Sequence, residues 1–177
     1  MALGYVDEIP IMRYDSKWGR TEPQTPWMAA GAEPGYWDFV TQIFKRTQLI
    51  DADNLETVGR GRYNWSGGLH TRQQLYGCDL LSDGSIRGSY RSGYDGRDFI
   101  SFELGSGNFV AADGAAQITK RKWEHDGTVA ESLTDYLENI CPEALRRFVG
   151  YGQEALEHKE PPTVHVSGKE EHGILTL

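Results

Sequence analysis

The sequence predicts an α+β fold in which helices pack on one face of an antiparallel sheet. A block of strand-like runs is followed by a long helical pattern, and this order occurs a second time further along the chain. Short connections rich in glycine and aspartate separate the strand-like runs of the second block, which is typical of antiparallel hairpins.

The chain has 177 residues and a formal net charge of −8, with 38% hydrophobic and 25% charged residues. This length suits one domain or slightly more and is enough to bury a sizeable core. The acidic balance argues against a general nucleic-acid binder, which would need a basic face. No apolar run reaches the roughly 18 residues that span a bilayer.

Both ends of the sequence look incomplete. Met1 is not followed by the basic and apolar stretches of a signal peptide, and residues 173–177 read as the beginning of a strand. We therefore expect the sequence to be a fragment, and the missing targeting signals carry no information on localisation.

The first strand block and its helix cover residues 1–60. Residues 5–15 contain two short strand-like runs, with a break expected near Pro10. Residues 21–34 contain three prolines and few apolar anchors, which predicts an irregular connection. From Tyr36 to about Arg60, hydrophobic residues recur at spacings of three and four, which predicts one long helix ended by Gly59, Gly61 and then Gly67-Gly68.

The second strand block lies in residues 69–112 and is predicted to be a four-stranded antiparallel meander. Its strands are expected at 71–78, 86–94, 99–104 and 109–112, joined by short turns. Residues 114–158 are then predicted to be helical in pieces, with a break at Gly127 and a kink at Pro142. Thr128 and Glu131 have the spacing of a capping box. Pro161-Pro162 predicts a boundary before a new strand.

The two cysteines, Cys78 and Cys141, leave two interpretations open from the residues alone. They are either free buried thiols or a disulfide that joins a strand to a helix. Such a bridge would close a loop of about 64 residues and contribute on the order of 4 kcal/mol in the chain-entropy model. Asn64-Trp65-Ser66 is a sequon for N-glycosylation, and together with a disulfide it would favour an extracellular protein.

No enzyme signature is found in the sequence. The five histidines show no metal-ligand spacing, and the glycines at 105–107 lack the Gly-Lys-Ser/Thr of a phosphate loop. Asp83, Asp95 and Asp98 lie in turn sequences, which makes an acid–base pair a poor interpretation. We predict no catalytic residue, no metal site and no cofactor.

A series of short motifs runs through the chain in a fixed order: Gly4-Tyr5-Val6-Asp7, Pro34-Gly35-Tyr36-Trp37-Asp38, Arg62-Tyr63-Asn64, His70-Thr71, Tyr76-Gly77-Cys78-Asp79, Tyr94-Asp95-Gly96-Arg97-Asp98, Ile118-Thr119-Lys120-Arg121-Lys122-Trp123-Glu124 and Leu145-Arg146-Arg147-Phe148. Together they resemble the antigen-binding platform of MHC class I heavy chains. The resemblance covers nearly all 177 residues. The arginine at 62 and residues 173–177 look more like bird sequences than mammalian ones.

The resemblance implies a fold and a division of the chain. Two similar halves would join into one eight-stranded antiparallel sheet topped by two long antiparallel helices. Residues 1–68 would form most of the first half, with its first strand missing, and residues 69–159 the second half. Residues 160–177 would begin an immunoglobulin-like domain that is truncated here.

The resemblance also implies a peptide-binding groove between the helices. A groove that holds many peptides should bind what they share, namely the backbone and the charged ends. Tyr36, Tyr76 and Tyr136 match positions near the peptide amine, for which rigid, uncharged hydroxyls are suitable. Six residues match positions near the peptide carboxylate. They are a hydroxyl (Thr119), two cations (Lys122 and Arg62), an indole (Trp123) and two residues of the first helix (Asn54 and Thr57).

The family match further implies that Cys78 and Cys141 form a disulfide and that Asn64 is glycosylated. Phe148 stands where peptide-presenting members usually have tyrosine, and Ala144 where a tryptophan is common, so the amine end of the groove is expected to be thinned. Val40 and Ile43 replace polar or charged positions on the first helix. Relative to the family pattern, the glycines near Arg62 add one residue and shift its register.

Two functions follow from the resemblance. The first is a heavy chain that binds β2-microglobulin and short peptides and presents them to T-cell receptors, with natural-killer receptors as further partners. The full-length protein would then be a single-pass membrane glycoprotein of the cell surface that performs no chemistry. The second is a non-presenting receptor ligand or lipid-binding relative of the same fold. Thr119, Lys122 and Trp123 favour the first, whereas Phe148, Ala144 and the glycine insertion near Arg62 favour the second.

Overall fold

The structure, a computed structural model, describes residues 1–62 and 68–157 together with the backbone of 169–171 and 174–176. Three strands, β1 (Ala2–Val6), β2 (Ile9–Asp15) and β3 (Arg20–Pro23), form an antiparallel sheet in chain order. The turn between β1 and β2 falls at Asp7, whose φ is 51°, rather than at Pro10, which lies inside β2. The two predicted runs are therefore present, but their break lies three residues earlier.

The prediction that residues 21–34 are irregular is wrong, because this segment contains most of β3 and the short helix α1 (Pro26–Gly31). The side chain of Thr25 caps α1 by accepting a hydrogen bond from the Met28 amide at 3.2 Å. Pro26 fits the first turn because that position needs no amide hydrogen. The Thr25-Pro26 pair therefore marks the start of a helix within the segment that was predicted to be a connection.

The long helix α2 (Tyr36–Arg62) has 27 residues and agrees with the predicted helix within two residues, but it continues through Gly59 and Gly61, which were expected to end it. It packs against β2 and β3. The Thr21 amide donates to Thr41 Oγ1 at 2.8 Å, and Tyr14 Oη donates to Gln48 Oε1 at 2.9 Å. The ring of Tyr14 also stacks on Phe44, with centroids 5.4 Å apart. One face of the first sheet is therefore covered by α2.

The predicted meander is confirmed. It consists of β4 (Arg72–Leu80), β5 (Ile86–Tyr94), β6 (Arg97–Glu103) and β7 (Asn108–Ala111), paired antiparallel in chain order. One cross-strand row faces the helices and consists of Tyr76, Tyr90, Phe102 and Phe109. All of these except Tyr76 are buried. Because side chains alternate along a strand, the adjacent row lies on the opposite face: Leu75, Arg91, Ser101 and Val110.

The second helical region consists of α3 (Gly114–Asp126), α4 (Thr128–Asp135), a π-helical segment (Tyr136–Ile140) and α5 (Cys141–Glu157). Gly127 ends α3 with a φ of 75°, so the predicted break is confirmed. The capping box is wrong, because Gly127 caps α4 and Thr128 Oγ1 donates instead to Asp126 at 2.9 Å. Near Pro142 the irregularity is the π-helical segment that ends just before Cys141. None of the described helices is long and apolar enough to cross a membrane.

The expectation of one eight-stranded sheet is wrong for the described residues, which place three and four strands in two separate sheets. A shared sheet needs neighbouring strands about 4.8 Å apart with a ladder of backbone hydrogen bonds, and none joins β1 to β4. Instead α5 packs on both β1 and β4 and so links the two sheets. Each sheet has its own buried core, one centred on Met28 and Phe148 and the other on Phe102 and Leu137.

The last described residues form a two-stranded antiparallel pair, β8 (Lys169–Glu171) and β9 (Ile174–Thr176). The predicted boundary at Pro161-Pro162 and the strand beginning at Thr163 lie outside the described residues. The immunoglobulin-like domain remains a prediction.

Candidate functional site

At one end of α2, aromatic side chains from two helices meet. The rings of Tyr36 on α2 and Phe148 on α5 pack edge to face with centroids 6.2 Å apart. The Arg147 guanidinium lies 5.7 Å from the Tyr36 ring and 5.6 Å from the Phe148 ring. Burial raises the pKa of Tyr36, against an opposing effect of Arg147. The structure thus brings two of the predicted site residues together beside a cation.

The next aromatic pair joins the second sheet to the π-helical segment. Tyr76 on β4 and Tyr136 pack edge to face with centroids 5.5 Å apart. Burial, followed by the neighbouring Tyr76 and Tyr36, raises the pKa of Tyr136 to about 12. Tyr36, Tyr76, Tyr136 and Phe148 therefore form one neighbourhood that spans α2, β4, the π-helical segment and α5. Its phenols stay uncharged at neutral pH, as hydrogen-bonding groups for a ligand should.

Three further predicted residues lie on one face of α3, at spacings of three and four: Thr119, Lys122 and Trp123. Thr119 is only 6% exposed, and its Oγ1 has no hydrogen-bond partner among the described residues. Trp123 packs against Phe109 at 5.3 Å and Tyr90 at 6.5 Å, whereas Lys122 is exposed. A buried hydroxyl without a partner is costly, and among the described residues Thr21 Oγ1 and Ser92 Oγ share this state with Thr119 Oγ1.

The opposite wall near that face is the second half of α2. Leu55 and Val58 pack on the core that Trp123 also joins. Asn54 is half-buried and Thr57 is exposed on the same stretch of helix. The backbone of Arg62 ends α2, but its side chain lies outside the described part of the structure, as does the whole of Asn64.

A polar cluster that the sequence analysis missed lies between α2 and the second sheet. Asp51 on α2 contacts Arg72 and Gln74 on β4, and both of these contact Tyr90 on β5. The sequence feature that could have revealed this cluster is the alternation of side chains along β4, which puts Arg72, Gln74 and Tyr76 on the helix-facing side. The partner on α2 could not be identified from that pattern.

The structure pairs Cys78 with Cys141, as the resemblance implies, with Cα atoms 6.1 Å apart. The bond ties β4 to the first residue of α5. Tyr76 lies two residues before one cysteine and Tyr136 five residues before the other. The disulfide therefore fixes the two elements that carry this tyrosine pair.

The faces of both sheets turned away from the helices carry exposed apolar side chains. Leu75 and Val110 lie on the outer row of the second sheet and are 72% and 62% exposed. In the first sheet, Leu3 pairs with Arg13 on the face turned away from α2 and is 43% exposed. Polar Arg91 and Ser101 separate Leu75 from Val110 in this row, so these side chains do not form one contiguous apolar patch.

Within residues 1–62 and 68–157, no group of three or more potential ligands could hold a metal ion. What the arrangement offers instead is two sets of hydrogen-bonding groups. Phenols, with one phenyl ring, lie where α2, α5, β4 and the π-helical segment meet, and a hydroxyl, an ammonium group and an indole lie on α3.

Comparison with known proteins gives a consistent result. The family model for class I histocompatibility antigen, domains alpha 1 and 2, matches residues 1–156. The chain is 48% identical over 177 residues to the class I histocompatibility antigen F10 alpha chain of Gallus gallus, covering all of this chain and 51% of the relative. It is 42% identical over 178 residues to the major histocompatibility complex class I-related protein 1 of Rattus norvegicus, covering all of this chain and 51% of the relative. The chain therefore spans about half the length of the curated relatives it matches.

Proposed function

Because the chain belongs to the class I histocompatibility antigen family, a family of antigens and not of enzymes, we propose that it binds short peptides and presents them to T-cell receptors. The binding site is the groove between α2 on one side and α3, α4, the π-helical segment and α5 on the other. A peptide lies along this groove with its amine at the tyrosine end and its carboxylate at the α3 end.

The observation that carries this proposal is the buried hydroxyl of Thr119. It is 94% covered, yet its Oγ1 makes no hydrogen bond within the described residues. Lys122 and Trp123 lie one turn further along the same face of α3. A hydroxyl, an ammonium group and an indole N–H are three donors that suit a peptide carboxylate. Because Thr119 Oγ1 is itself covered, a bound carboxylate would reach this hydroxyl, and give it the partner it lacks, after a side-chain rotation or a shift of α3.

The remaining roles follow from position. Tyr36, Tyr76 and Tyr136 hold the peptide amine through uncharged hydroxyls, and Phe148 adds only ring surface there. The carboxylate end is completed from the first helix by Asn54, Thr57 and Arg62. This assignment predicts that the carboxylate contributes more of the binding free energy than the amine, since one hydroxyl is missing at the amine end.

We also propose partners and a setting for the whole protein. β2-microglobulin covers the outer sheet face that exposes Leu75 and Val110. T-cell receptors, and natural-killer receptors as a further class, contact the helices from the opposite side. Asn64 carries a glycan. The full-length protein is anchored in the cell-surface membrane, with residues 1–68 and 69–159 as the two halves of the platform and 160–177 as the start of an immunoglobulin-like domain.

Peptide elution tests the function. The heavy chain that carries these residues is refolded with β2-microglobulin, washed at neutral pH and eluted with acid, and the eluate is analysed by mass spectrometry. We expect short peptides that share a type of C-terminal residue. Lys122→Ala should reduce the yield about tenfold, because a charge-assisted hydrogen bond is lost. Arg121→Ala, an exposed neighbour on α3, is the matched control.

A second candidate function is a class I-like molecule that binds lipid or no ligand at all. Ile43 is 44% exposed on α2 and offers an apolar side chain there, whereas Val40 is buried. Phe148 also adds no hydroxyl to the cluster beside it. An eluate that is empty or contains only lipid, from a stable complex, would favour this function and contradict peptide presentation.

A further inference from the structure

Four side chains form a closed ring of hydrogen bonds on the floor between α2 and the second sheet. Asp51 Oδ1 accepts from Arg72 Nη1 and from Gln74 Nε2, the latter at 2.7 Å. Tyr90 Oη donates to Gln74 Oε1 at 3.2 Å and accepts from Arg72 Nη2 at 3.3 Å. Each member therefore has at least two partners within the ring, which holds the four side chains in a defined arrangement.

The ring leaves one strong acceptor unused. Asp51 Oδ2 makes no hydrogen bond to any residue that the structure describes, although its sister oxygen makes two. The Asp51 side chain is 35% exposed, whereas the Arg72 side chain is only 12% exposed. The pair is neutral as a whole, but the guanidinium is covered and the carboxylate is accessible. A ligand in the groove would therefore meet a negative charge.

The surroundings strengthen the effect of that charge. The residues three and four positions away on α2 are all uncharged: Thr47, Gln48, Asn54 and Leu55. Burial raises the pKa of both Tyr76 and Tyr90, which indicates low polarity around the ring. Charges interact more strongly in such an environment than in water. Among the described residues, Arg72 is the one cation that pairs with Asp51.

We propose that Asp51 selects a lysine or arginine side chain at an inner position of the bound peptide and excludes aspartate and glutamate there. The proposal rests on the peptide-binding function above. Asp51 lies six residues before Thr57 on α2, or about 9 Å at 1.5 Å per helical residue. An extended peptide covers about 3.3 Å per residue. With its carboxylate near Thr57, the selected residue lies two to four positions before the peptide's C-terminus.

Removing the carboxylate should reverse the preference. In Asp51→Asn, Arg72 loses its counter-charge and becomes the only charge of the ring, so an acidic peptide side chain would be favoured. The double variant Asp51→Asn with Arg72→Gln carries neither charge and should show no preference of either sign. Asp53→Asn, on an exposed position of the same helix, is the matched control.

A peptide library tests the proposal. The heavy chain that carries these residues is refolded with β2-microglobulin in the presence of synthetic peptides of eight to ten residues, with free termini and randomised inner positions. Retained peptides are eluted and sequenced. We expect lysine plus arginine to exceed aspartate plus glutamate about tenfold at one position, two to four residues before the C-terminus. The control Asp53→Asn should keep this ratio, and Asp51→Asn should invert it.

The outcomes are distinguishable. Retained peptides with equal basic and acidic content at those positions, or with an acidic excess, would overturn the role of Asp51 and leave peptide binding intact. If neither the unmodified protein nor Asp53→Asn retains any peptide, the function itself fails, and the inference fails with it. The selection by the unmodified protein is decisive on its own, so a variant that does not fold leaves the test complete.

Discussion

Gly88 on β5 lies directly against Leu137, the fully buried residue of the π-helical segment. A Cβ atom added at Gly88 would come within 2.8 Å of the Leu137 Cβ, closer than real contacts allow. The obstructing atom is next to the helix backbone, so a simple side-chain rotation cannot remove the clash. This close approach sets how near the π-helical segment, and with it Tyr136, comes to the sheet.

The first prediction concerns that contact. Gly88→Ala should lower the free energy of unfolding by about 1–3 kcal/mol, because the segment must move away from the sheet. Gly77→Ala is the control, since a Cβ at that position on the neighbouring strand meets no atom within 4 Å. Denaturant unfolding of the refolded heavy chain measures both. Equal effects of the two substitutions would show that the helix adjusts without cost.

The second prediction concerns pH. The pKa of Tyr136 is raised from 10 to about 12, so above pH 10 the unfolded chain releases a proton that the folded chain retains. Stability is therefore unaffected by this group below pH 10 and falls as the pH rises towards 12. Tyr136→Phe should make the curve of unfolding free energy against pH less steep in that range. Curves of equal slope for both proteins would contradict the assignment.

The third prediction concerns the disulfide. Replacing both Cys78 and Cys141 by alanine should reduce the free energy of unfolding by about 4 kcal/mol, since the bond closes a loop across 63 positions. Denaturant unfolding of the double variant under oxidising conditions gives this value. Addition of a reductant to the unmodified protein should have a similar effect, and it should leave the double variant unchanged.

The fourth prediction separates ligand binding from folding at Thr119. In the empty protein, Thr119→Val should leave stability unchanged or raise it, because it removes a buried hydroxyl that has no partner. In the presence of peptide the same substitution should weaken binding about tenfold, since the hydroxyl then donates to the carboxylate. Thr119→Ser keeps the hydroxyl and should behave like the unmodified protein in the binding measurement. A loss of stability in empty Thr119→Val would assign the hydroxyl a structural role.

Most of the secondary structure follows from local patterns. The four strands of the meander and α2 agree with their predicted positions within about two residues, because each has a clear period and a glycine-containing end. Where two local signals competed, the prediction failed. At Thr25-Pro26 the prolines were interpreted as a connection, whereas Thr25 caps a helix in the structure. At Thr128 a capping box was predicted, whereas Gly127 is the N-cap residue in the structure.

The residues of the candidate site could be identified only from the family resemblance and from tertiary contacts. Nothing local marks Tyr76 and Tyr136 as partners, since they are sixty positions apart and meet only because the π-helical segment packs on β4. The ring around Asp51 has the same origin. Its two halves come from different elements, and the angle of α2 across the sheet decides which helix residue reaches Arg72. Periodicity gives the face of each residue but not this alignment.

The break at Gly127 also separates two parts of the second helical region that are attached to the sheet in different ways. The segment after it is tied to the floor by a disulfide through Cys141, whereas α3, which carries Thr119, is joined to β7 by the backbone at its first residue and otherwise packs on β6 and β7 without a cross-link. Loosening of α3 therefore need not disturb the tyrosines. We expect the carboxylate end of a departing peptide to detach first. We expect an arriving peptide to bind by its amine end before its carboxylate end is held.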